Sequence, residues 1–215
     1  MLPTTGRPER LPERRPDGRL DVALLGATGS VGRVAAAYLA AAAPAGARIG
    51  LAGRSPEALG RLRDTLPERA ATWPLLVADT ADDRSLDALA ESARVVATTV
   101  GPYARHGLPV VAACTRAGAH YADVTGETLF VRESIDRFHA AAAGEGTRVV
   151  HACGFDAVPS DLAALLLADR ARTGRAASPA RCSSPARCAA GSVAARSRAC
   201  AGSWTPRAPA LGRGR

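Results

Sequence analysis

Hydrophobic positions follow two alternating periodicities between residues 20 and 168. Apolar runs of five or six residues, typical of buried strands, are separated by longer segments in which apolar residues recur every three or four positions, as in amphipathic helices. The runs predict strands at 20–25, 48–52, 75–79, 95–100, 120–124 and 148–153. The longer segments predict helices at 30–43, 56–66, 83–92, 106–117, 128–143 and 159–168.

Strands that alternate with helices across short connections predict a doubly wound α/β fold, in which crossover helices cover both faces of a parallel sheet. Six strands suffice for a complete Rossmann sheet of order 3-2-1-4-5-6. Apolar spacing in the first helix predicts the face that packs on this sheet, which carries Val31, Val34, Ala35, Tyr38 and Leu39.

The two ends of the chain lack this pattern. Residues 1–18 hold four Pro and two Gly and are predicted to be a disordered leader before an NAD(P)-binding Rossmann domain at 19–168. Residues 169–215, rich in Arg and Ala, are predicted to be a disordered tail, because they offer too few large apolar side chains to form a core. A natural basic tail and a shifted reading frame in GC-rich DNA both explain this change, and the second is favoured.

Charge is distributed unevenly along the chain, whose net charge is +8. Residues 170–215 contain ten Arg and no acidic residue, whereas 1–169 contain 18 Arg and 20 acidic residues. The body therefore gives no reason to expect a nucleic-acid partner, although a nucleic-acid binder driven by the tail stays an alternative. All basic residues are Arg, so the Tyr-x-x-x-Lys pair of short-chain dehydrogenases is excluded.

Five Cys without a C-x-x-C pair, and no His/Cys spacing typical of zinc, predict no metal site. The N-terminus has no apolar stretch typical of a secretory signal, and the longest apolar run, 34–43, is too short to cross a bilayer. These features predict a reducing, cytoplasmic location.

A glycine motif follows the first predicted strand and opens the first helix. Gly26 suits a tight turn, Gly29 lets the backbone approach a pyrophosphate, and Gly32 lets the helix pack closely on the strand. Free N–H groups at the helix start favour phosphate. The predicted cofactor-binding residues here are Gly26, Ala27, Thr28, Gly29, Ser30, Val31 and Gly32. A structural glycine turn in another α/β protein is the alternative.

Arg54 and Ser55 stand after the second strand, where an NAD site usually has an acidic residue. The guanidinium of Arg54 suits a ribose 2′-phosphate and the hydroxyl of Ser55 adds a donor, so NADP is predicted in preference to NAD. The alternatives are a solvated Arg54 and a Ser55 that caps a helix before Pro56. Asp79, after the third strand, suits an adenine amino group or, equally, helix capping with Thr80.

The fourth strand leads into small residues at the predicted switch point of the sheet. Thr99, Val100, Gly101 and Pro102 are expected to line the cofactor, with the nicotinamide near Val100 to Tyr103.

Acidic residues follow the last two strands, where substrates bind in such sheets. Asp123, Glu127, Asp156 and Asp161 suit substrate orientation or proton transfer, but also ordinary capping and turn roles. The catalytic residues stay unknown, and Tyr103, Asp156 and Asp161 are the candidates.

Taken together, these motifs resemble the saccharopine dehydrogenase-like oxidoreductases. The segments that carry the resemblance are Gly26–Gly32, Leu51–Ser55, Thr98–Tyr103, His120–Glu127 and Cys153–Asp161. Within 20–168, the chain looks like the actinobacterial branch of trans-acting enoyl reductases, which are linked to lipid and glycolipid assembly.

The resemblance implies an NADP-binding domain of an oxidoreductase that acts on a C=C or C–N bond of an acyl or other small substrate. It also implies a following substrate domain, in whose place this chain has the Arg/Ala tail, so negligible turnover by the chain alone is expected. A non-catalytic NADP-binding module stays an alternative. The resemblance is compatible with a homo-oligomer and with peripheral association at the inner face of the plasma membrane.

Overall fold

The computed structural model describes residues 18–173. Its strands are β1 (Leu20–Leu25), β2 (Ile49–Gly53), β3 (Leu75–Val77), β4 (Ala93–Thr98), β5 (His120–Asp123) and β6 (Val149–Val150). Its α-helices are α1 (Ser30–Ala42), α2 (Pro56–Asp64), α3 (Asp83–Ser92), α4 (Tyr103–Ala117), α5 (Thr128–Gly144) and α6 (Val158–Thr173). A single 3-10 turn, Glu68–Ala70, precedes β3.

All six strands are parallel and lie in the order β3-β2-β1-β4-β5-β6, which confirms the predicted sheet. The chain runs outward from β1 to β3 and then returns to β4 on the other side of β1. The order therefore reverses between β1 and β4, where the carboxyl ends of parallel strands leave a crevice.

The sheet has a separate hydrophobic core on each face. One core packs α1 and α2 against β1 and β2 and includes Ala36, Leu51 and Leu59. The other packs α3, α4 and α5 against the sheet and includes Val111 and Phe130. Burial of the apolar side chains of these two cores is the main driving force for the fold.

The predicted packing face of α1 is wrong. Val31, Val34 and Tyr38 are 53%, 72% and 70% exposed, and the residues buried on the sheet are instead Gly32, Ala36 and Ala40. Ala35 and Leu39 are partly buried. The residues of this face are small and spaced by four. At Gly32 a Cβ would meet the backbone of Gly26 and Ala27, so the start of α1 lies too close to the turn after β1 for any larger side chain at that position.

Several element boundaries differ from prediction, such as those of β4, which runs from 93 to 98 and not from 95 to 100, and two of the shifts involve hydrogen bonds formed over a long sequence separation. Helix α4 begins at Tyr103, not at 106, because the Glu127 carboxylate accepts hydrogen bonds from the first two N–H groups of the helix. Strand β6 ends at Val150, not at 153, because Ala152 has a φ of +58° and its N–H is held by Asp123.

Residues 18–154 and 155–173 form separate units. The second unit consists of a turn and α6, which runs to Thr173 although the sequence predicts its end at 168. The predicted disorder of 1–17 and 174–215 concerns residues outside the described range. Between residues 18 and 173, no helix combines the length and the apolar character needed to cross a membrane.

Candidate functional site

The turn between β1 and α1 requires glycine at its first and last motif positions. Gly26 has a φ of +84°, and a Cβ there would lie 2.7 Å from Val100 Cγ2. A Cβ on Gly32 would lie 2.0 Å from the Gly26 carbonyl oxygen, so only glycine permits this approach of helix to strand. Both residues therefore have the structural roles that the motif predicts.

Gly29 differs, because the fold itself does not require a glycine there. Its φ is −71° and its ψ is 169°, which any residue adopts, and a Cβ would meet only the Gly26 carbonyl oxygen, at 3.3 Å. What the missing Cβ provides is access to the start of α1. This is the feature that a closely approaching pyrophosphate needs.

The start of α1 carries neither a side-chain cap nor an acidic residue in its first turn. By contrast, α2 is capped by Ser55, α3 by Asp82 and α4 by the Glu127 carboxylate. The first N–H groups of a helix need acceptors and form the positive end of its dipole. Those of α1 are thus suited to an anion from outside the chain.

The loop after β4 packs directly on the glycine turn. The N–H of Thr99 donates to the Leu25 carbonyl at 3.0 Å, and the Thr99 hydroxyl donates to the Gly26 carbonyl at 3.2 Å. Val100 contacts Gly26, and a cis peptide bond joins Gly101 to Pro102 before α4 begins. The fold thus joins the two predicted cofactor segments at the switch point between β1 and β4.

The end of β2 lies beside the same turn, because the N–H groups of Gly26 and Ala27 donate to the Ala52 carbonyl at 2.9 and 3.2 Å. Arg54 is exposed, and within residues 18–173 its side chain has no hydrogen-bond or ion-pair partner. Ser55 caps α2 by accepting from the N–H of Ala58, and its hydroxyl donates to Glu57 at 2.7 Å. The capping alternative for Ser55 is therefore observed.

Asp79 lies near the β2 end, since the N–H of the preceding Ala78 donates to the Gly53 carbonyl. One oxygen of its carboxylate accepts from the N–H of Ala81, and its backbone pairs with Ser85. This is the chemistry of a turn before α3, whose N-cap is Asp82. A role toward adenine stays a prediction.

Tyr103 lies beside the β4 loop, but its hydroxyl points into the protein. The hydroxyl donates to the Thr98 carbonyl at 3.1 Å, and burial raises the pKa of Tyr103 to about 12. Glu127 is also held by internal hydrogen bonds. Its carboxylate accepts from the first two N–H groups of α4, and its own N–H donates to the Thr125 hydroxyl. This geometry does not favour proton transfer by either residue.

Asp123 is the centre of a buried network that sequence patterns missed. Its Oδ2 accepts from the Tyr121 hydroxyl at 2.9 Å and from His151 Nδ1 at 2.6 Å, and its Oδ1 accepts from the N–H groups of Thr125 and Ala152. Burial alone would raise the pKa of Asp123, but these hydrogen bonds, with that from His151 the strongest, hold the pKa below its ordinary value.

The network continues from His151 Nε2 to the Ser134 hydroxyl, 3.0 Å away on α5. Asp, His and Ser thus stand in the order of a hydrolase triad, although they are far apart in the sequence. Ser134 is 2% exposed and lies in the middle of a helix, where backbone N–H groups are already bonded and offer no oxyanion site. The network therefore joins β5, β6 and α5 and is not a nucleophilic site.

Three further polar or reactive side chains follow β6 in the sequence, those of Cys153, Asp156 and Asp161. Cys153 is exposed and its pKa is raised by partial burial, which lowers its thiolate fraction and does not favour a reactive thiol. Asp156 lies in the turn before α6, and Asp161 lies in the first turn of that helix, which is a capping position. A catalytic role for either carboxylate stays a prediction.

Taken together, the β1, β2 and β4 ends offer an open cradle for a dinucleotide. Gly29 and the uncapped start of α1 suit the pyrophosphate, Arg54 suits a phosphate on the adenosine side, and Gly101 lies toward the opposite end. These residues therefore fit NADP, because the backbone at Gly29 lets a pyrophosphate approach and the N–H groups at the start of α1 have no side-chain acceptor within residues 18–173.

Comparison with known proteins agrees with this site. The saccharopine dehydrogenase NADP binding domain family matches residues 22–150, and these include the cradle. Trans-acting enoyl reductases from Mycobacterium leprae and Mycobacterium tuberculosis are each 54% identical to the chain, over 148 and 142 residues. These matches cover 68% and 66% of this chain but 35% and 34% of the relatives, so the chain spans about a third of their length.

Among solved structures, apo saccharopine dehydrogenase (L-Glu forming) from Saccharomyces cerevisiae has a similar fold, with a TM-score of 0.59 at 20% identity. The match covers 72% of this chain and 32% of the yeast chain. The family match extends over more than half of the sequence and includes the glycine turn, the β2 end and the β4 loop. The chain therefore belongs to the saccharopine dehydrogenase family and carries its NADP-binding domain.

Proposed function

We propose that this chain holds NADPH for a trans-acting enoyl reductase, in which the C=C bond of an acyl substrate is reduced. The observation that carries the proposal is the open cradle at the β1–β4 switch point. Within residues 18–173, the start of α1 has no side-chain cap there, and the exposed Arg54 at the nearby β2 end has no partner. The names of the mycobacterial relatives supply the reaction class.

Each part of the cradle has a distinct task in this proposal. Residues from Gly26 to Gly32 hold the pyrophosphate with backbone N–H groups, and Arg54 selects the 2′-phosphate, while Ser55 stays engaged as the cap of α2. Asp79 faces the adenine, and residues from Thr99 to Pro102 line the nicotinamide half. NADPH, when bound, supplies the hydride, so this part of the protein contributes binding and orientation.

Reduction of an enoyl group places a hydride on one carbon and a proton on the other. In the described unit at 18–154, the Tyr103 hydroxyl, Asp123 and Glu127 are engaged in internal hydrogen bonds. These internal hydrogen bonds do not favour proton donation by any of the three residues, so Asp156 and Asp161 stay the candidates for the proton donor, and the proposal assigns closure of the site to a substrate domain. Substrate positioning and exclusion of water normally need such a closing element.

Cofactor titration tests the binding step. We expect the full chain to bind NADPH more tightly than NADH, and Arg54→Ala to lose roughly ten- to a hundredfold in NADPH affinity, because a charge-assisted hydrogen bond is lost. Arg137→Ala is the matched control, since it removes an exposed positive charge from α5 on the other face of the sheet. Equal NADPH and NADH affinities in the parent chain would contradict the proposal.

Steady-state NADPH oxidation with a panel of enoyl thioesters tests the reaction step. The chain alone is expected to bind NADPH with negligible turnover, and addition of the substrate-domain part of a mycobacterial relative is expected to restore reduction. Robust turnover by the chain alone would show that the site is complete without a second domain.

A cytoplasmic location, a homo-oligomer and peripheral membrane association belong to the same proposal. The cytoplasmic location rests on the cysteine pattern, whereas the homo-oligomer and the peripheral membrane association rest on the resemblance to the relatives. Within residues 18–173, no helix is long and apolar enough to span a membrane. Cell fractionation and light scattering of the purified chain test them independently of cofactor binding.

A further inference from the structure

The first turn of α1 carries a positive side chain that no cofactor motif explains. Arg33 directly follows Gly32, and its Nε donates to the Thr28 carbonyl at 2.9 Å. This hydrogen bond folds the side chain back over the glycine turn. A cation at the positive end of a helix dipole is unfavourable, so the position is poorly explained by folding stability.

The hydrogen bond uses Nε and leaves the outer edge of the guanidinium available. Arg33 is exposed, and its two terminal nitrogens have no partner within residues 18–173. A guanidinium anchored by Nε presents those nitrogens as a fixed fork of donors, which matches the oxygens of a phosphate.

Thr28, whose carbonyl holds the Arg33 side chain, itself lies close to the end of β2. A Cβ placed on Gly53 would lie 3.9 Å from the Thr28 hydroxyl, and Gly53 immediately precedes Arg54. The turn is also bonded to β2 through the Ala52 carbonyl. In dinucleotide folds, the ribose 2′ position of the adenosine half lies at this strand end.

Ser55, the other donor expected at this strand end, is already engaged. Its hydroxyl donates to the Glu57 carboxylate, and the hydrogen bond from Ser55 is the main reason why the pKa of Glu57 is lowered. Glu57 is therefore charged at neutral pH and keeps this donor from a phosphate. A dianionic 2′-phosphate then needs a second cation besides Arg54.

We infer that Arg33 is a second specificity residue for NADP, and that its guanidinium binds the 2′-phosphate jointly with Arg54. The inference rests on the proposed cofactor site and adds to it a residue that the glycine motif does not include. It assigns the phosphate to a pair of arginines, one from the glycine turn and one from the β2 end.

The test compares Arg33→Ala with Arg137→Ala in the full chain, with three ligands: NADPH, NADH and 2′,5′-ADP. We expect Arg33→Ala to weaken NADPH and 2′,5′-ADP about tenfold or more, with NADH affinity unchanged. Arg33→Lys keeps the charge but not the fork, so it should recover only part of the loss. Arg137→Ala should bind all three ligands like the parent.

The outcomes separate the possible failures. An equal loss of NADPH and NADH affinity would assign Arg33 to the pyrophosphate and overturn the inference. Unchanged affinity for all ligands would overturn it as well, while leaving the proposed function intact. A parent chain that binds no nucleotide would reject both. A purely structural Arg33 would lower the melting temperature on substitution, whereas we expect Arg33→Ala to melt at the same temperature or higher.

Discussion

The two halves of the carboxyl edge of the sheet use their polar groups in opposite ways. At the β5–β6 end, the Asp123 carboxylate accepts four hydrogen bonds from within the chain, and Glu127 caps α4. At the β1–β2 end, the start of α1 is uncapped and Arg54 is unpartnered within residues 18–173. Both ends are rich in functional residue types, but the chain satisfies the two carboxylates at the β5–β6 end, whereas within residues 18–173 it leaves Arg54 at the β1–β2 end without a partner.

This difference explains which motif residues are structural and which are suited to a ligand. A buried polar group must be satisfied, and the chain itself satisfies those at the β5–β6 end. Donors that the fold leaves open at the β1–β2 end are stabilised by water or by a bound anion. Substitutions at the first end should therefore change stability, and substitutions at the second should change affinity.

The largest effect is expected for Asp123→Ala, which leaves His151, Tyr121 and two backbone N–H groups without their acceptor. Removing one partner of such a buried network costs about 3–5 kcal/mol in the free energy of unfolding. Urea denaturation of the parent and of the variant measures this difference in the free energy of unfolding. Asp136→Ala, which breaks an exposed ion pair on α5, should change stability by only about 0.5 kcal/mol. Similar values for both variants would contradict the proposed role of the network.

Gly32→Ala should lower the free energy of unfolding by about 1–3 kcal/mol, because the new Cβ would meet a backbone oxygen that cannot move aside. The matched control is Gly60→Ala in α2, where the nearest atom lies 4.0 Å from the new Cβ. That change should stabilise the chain by about 0.5–1 kcal/mol. Thermal melts of the two variants should therefore move in opposite directions.

Gly29→Ala separates binding from folding. Its Cβ would narrow the approach to the α1 start while meeting only one protein atom, at 3.3 Å. We expect at least about a tenfold loss of NADPH affinity, equivalent to about 1.4 kcal/mol, with a melting temperature close to that of the parent. An unchanged NADPH affinity would show that the pyrophosphate does not approach Gly29.

Acid should weaken the β5–β6 network through Asp123. Because the pKa of Asp123 is lower in the folded than in the unfolded chain, its contribution is complete above the unfolded value of about 3.9 and is lost as the pH falls through the folded value. The slope from this group is at most about 1.4 kcal/mol per pH unit. Unfolding curves between pH 5 and 2 should show this loss in the parent and not in Asp123→Asn.

The smallest effect is expected for Val34→Ser on the outer face of α1. Val34 is 72% exposed, so the free energy of unfolding should change by no more than about 0.5 kcal/mol. Ala36→Val, on the buried face, should cost about 1–3 kcal/mol through overpacking. If Val34→Ser proves the more damaging of the two, the observed packing of α1 is incorrect.

Much of the architecture could be predicted because it depends on local patterns. The alternation of apolar strands and amphipathic helices determined six parallel strands in the order 3-2-1-4-5-6. The glycine spacing determined the β1–α1 turn, since a φ of +84° at Gly26 and the close approach at Gly32 are needs of the backbone itself. Local sequence is enough to predict a backbone conformation wherever the residues that require it lie within one turn of the chain.

Tertiary structure alone decided the features that depend on residues far apart in sequence. Periodicity favours Val31, Val34 and Tyr38 as the packing face of α1, but these residues are exposed, and the close approach of the helix start to the glycine turn admits no Cβ at Gly32 on the buried face. Glu127 extends α4 from 24 positions away, and Asp123 ends β6 by holding Ala152. Whether a carboxylate is satisfied internally, or an arginine left open to a phosphate, depends on which strand ends meet, and hydrophobic periodicity carries no information about that.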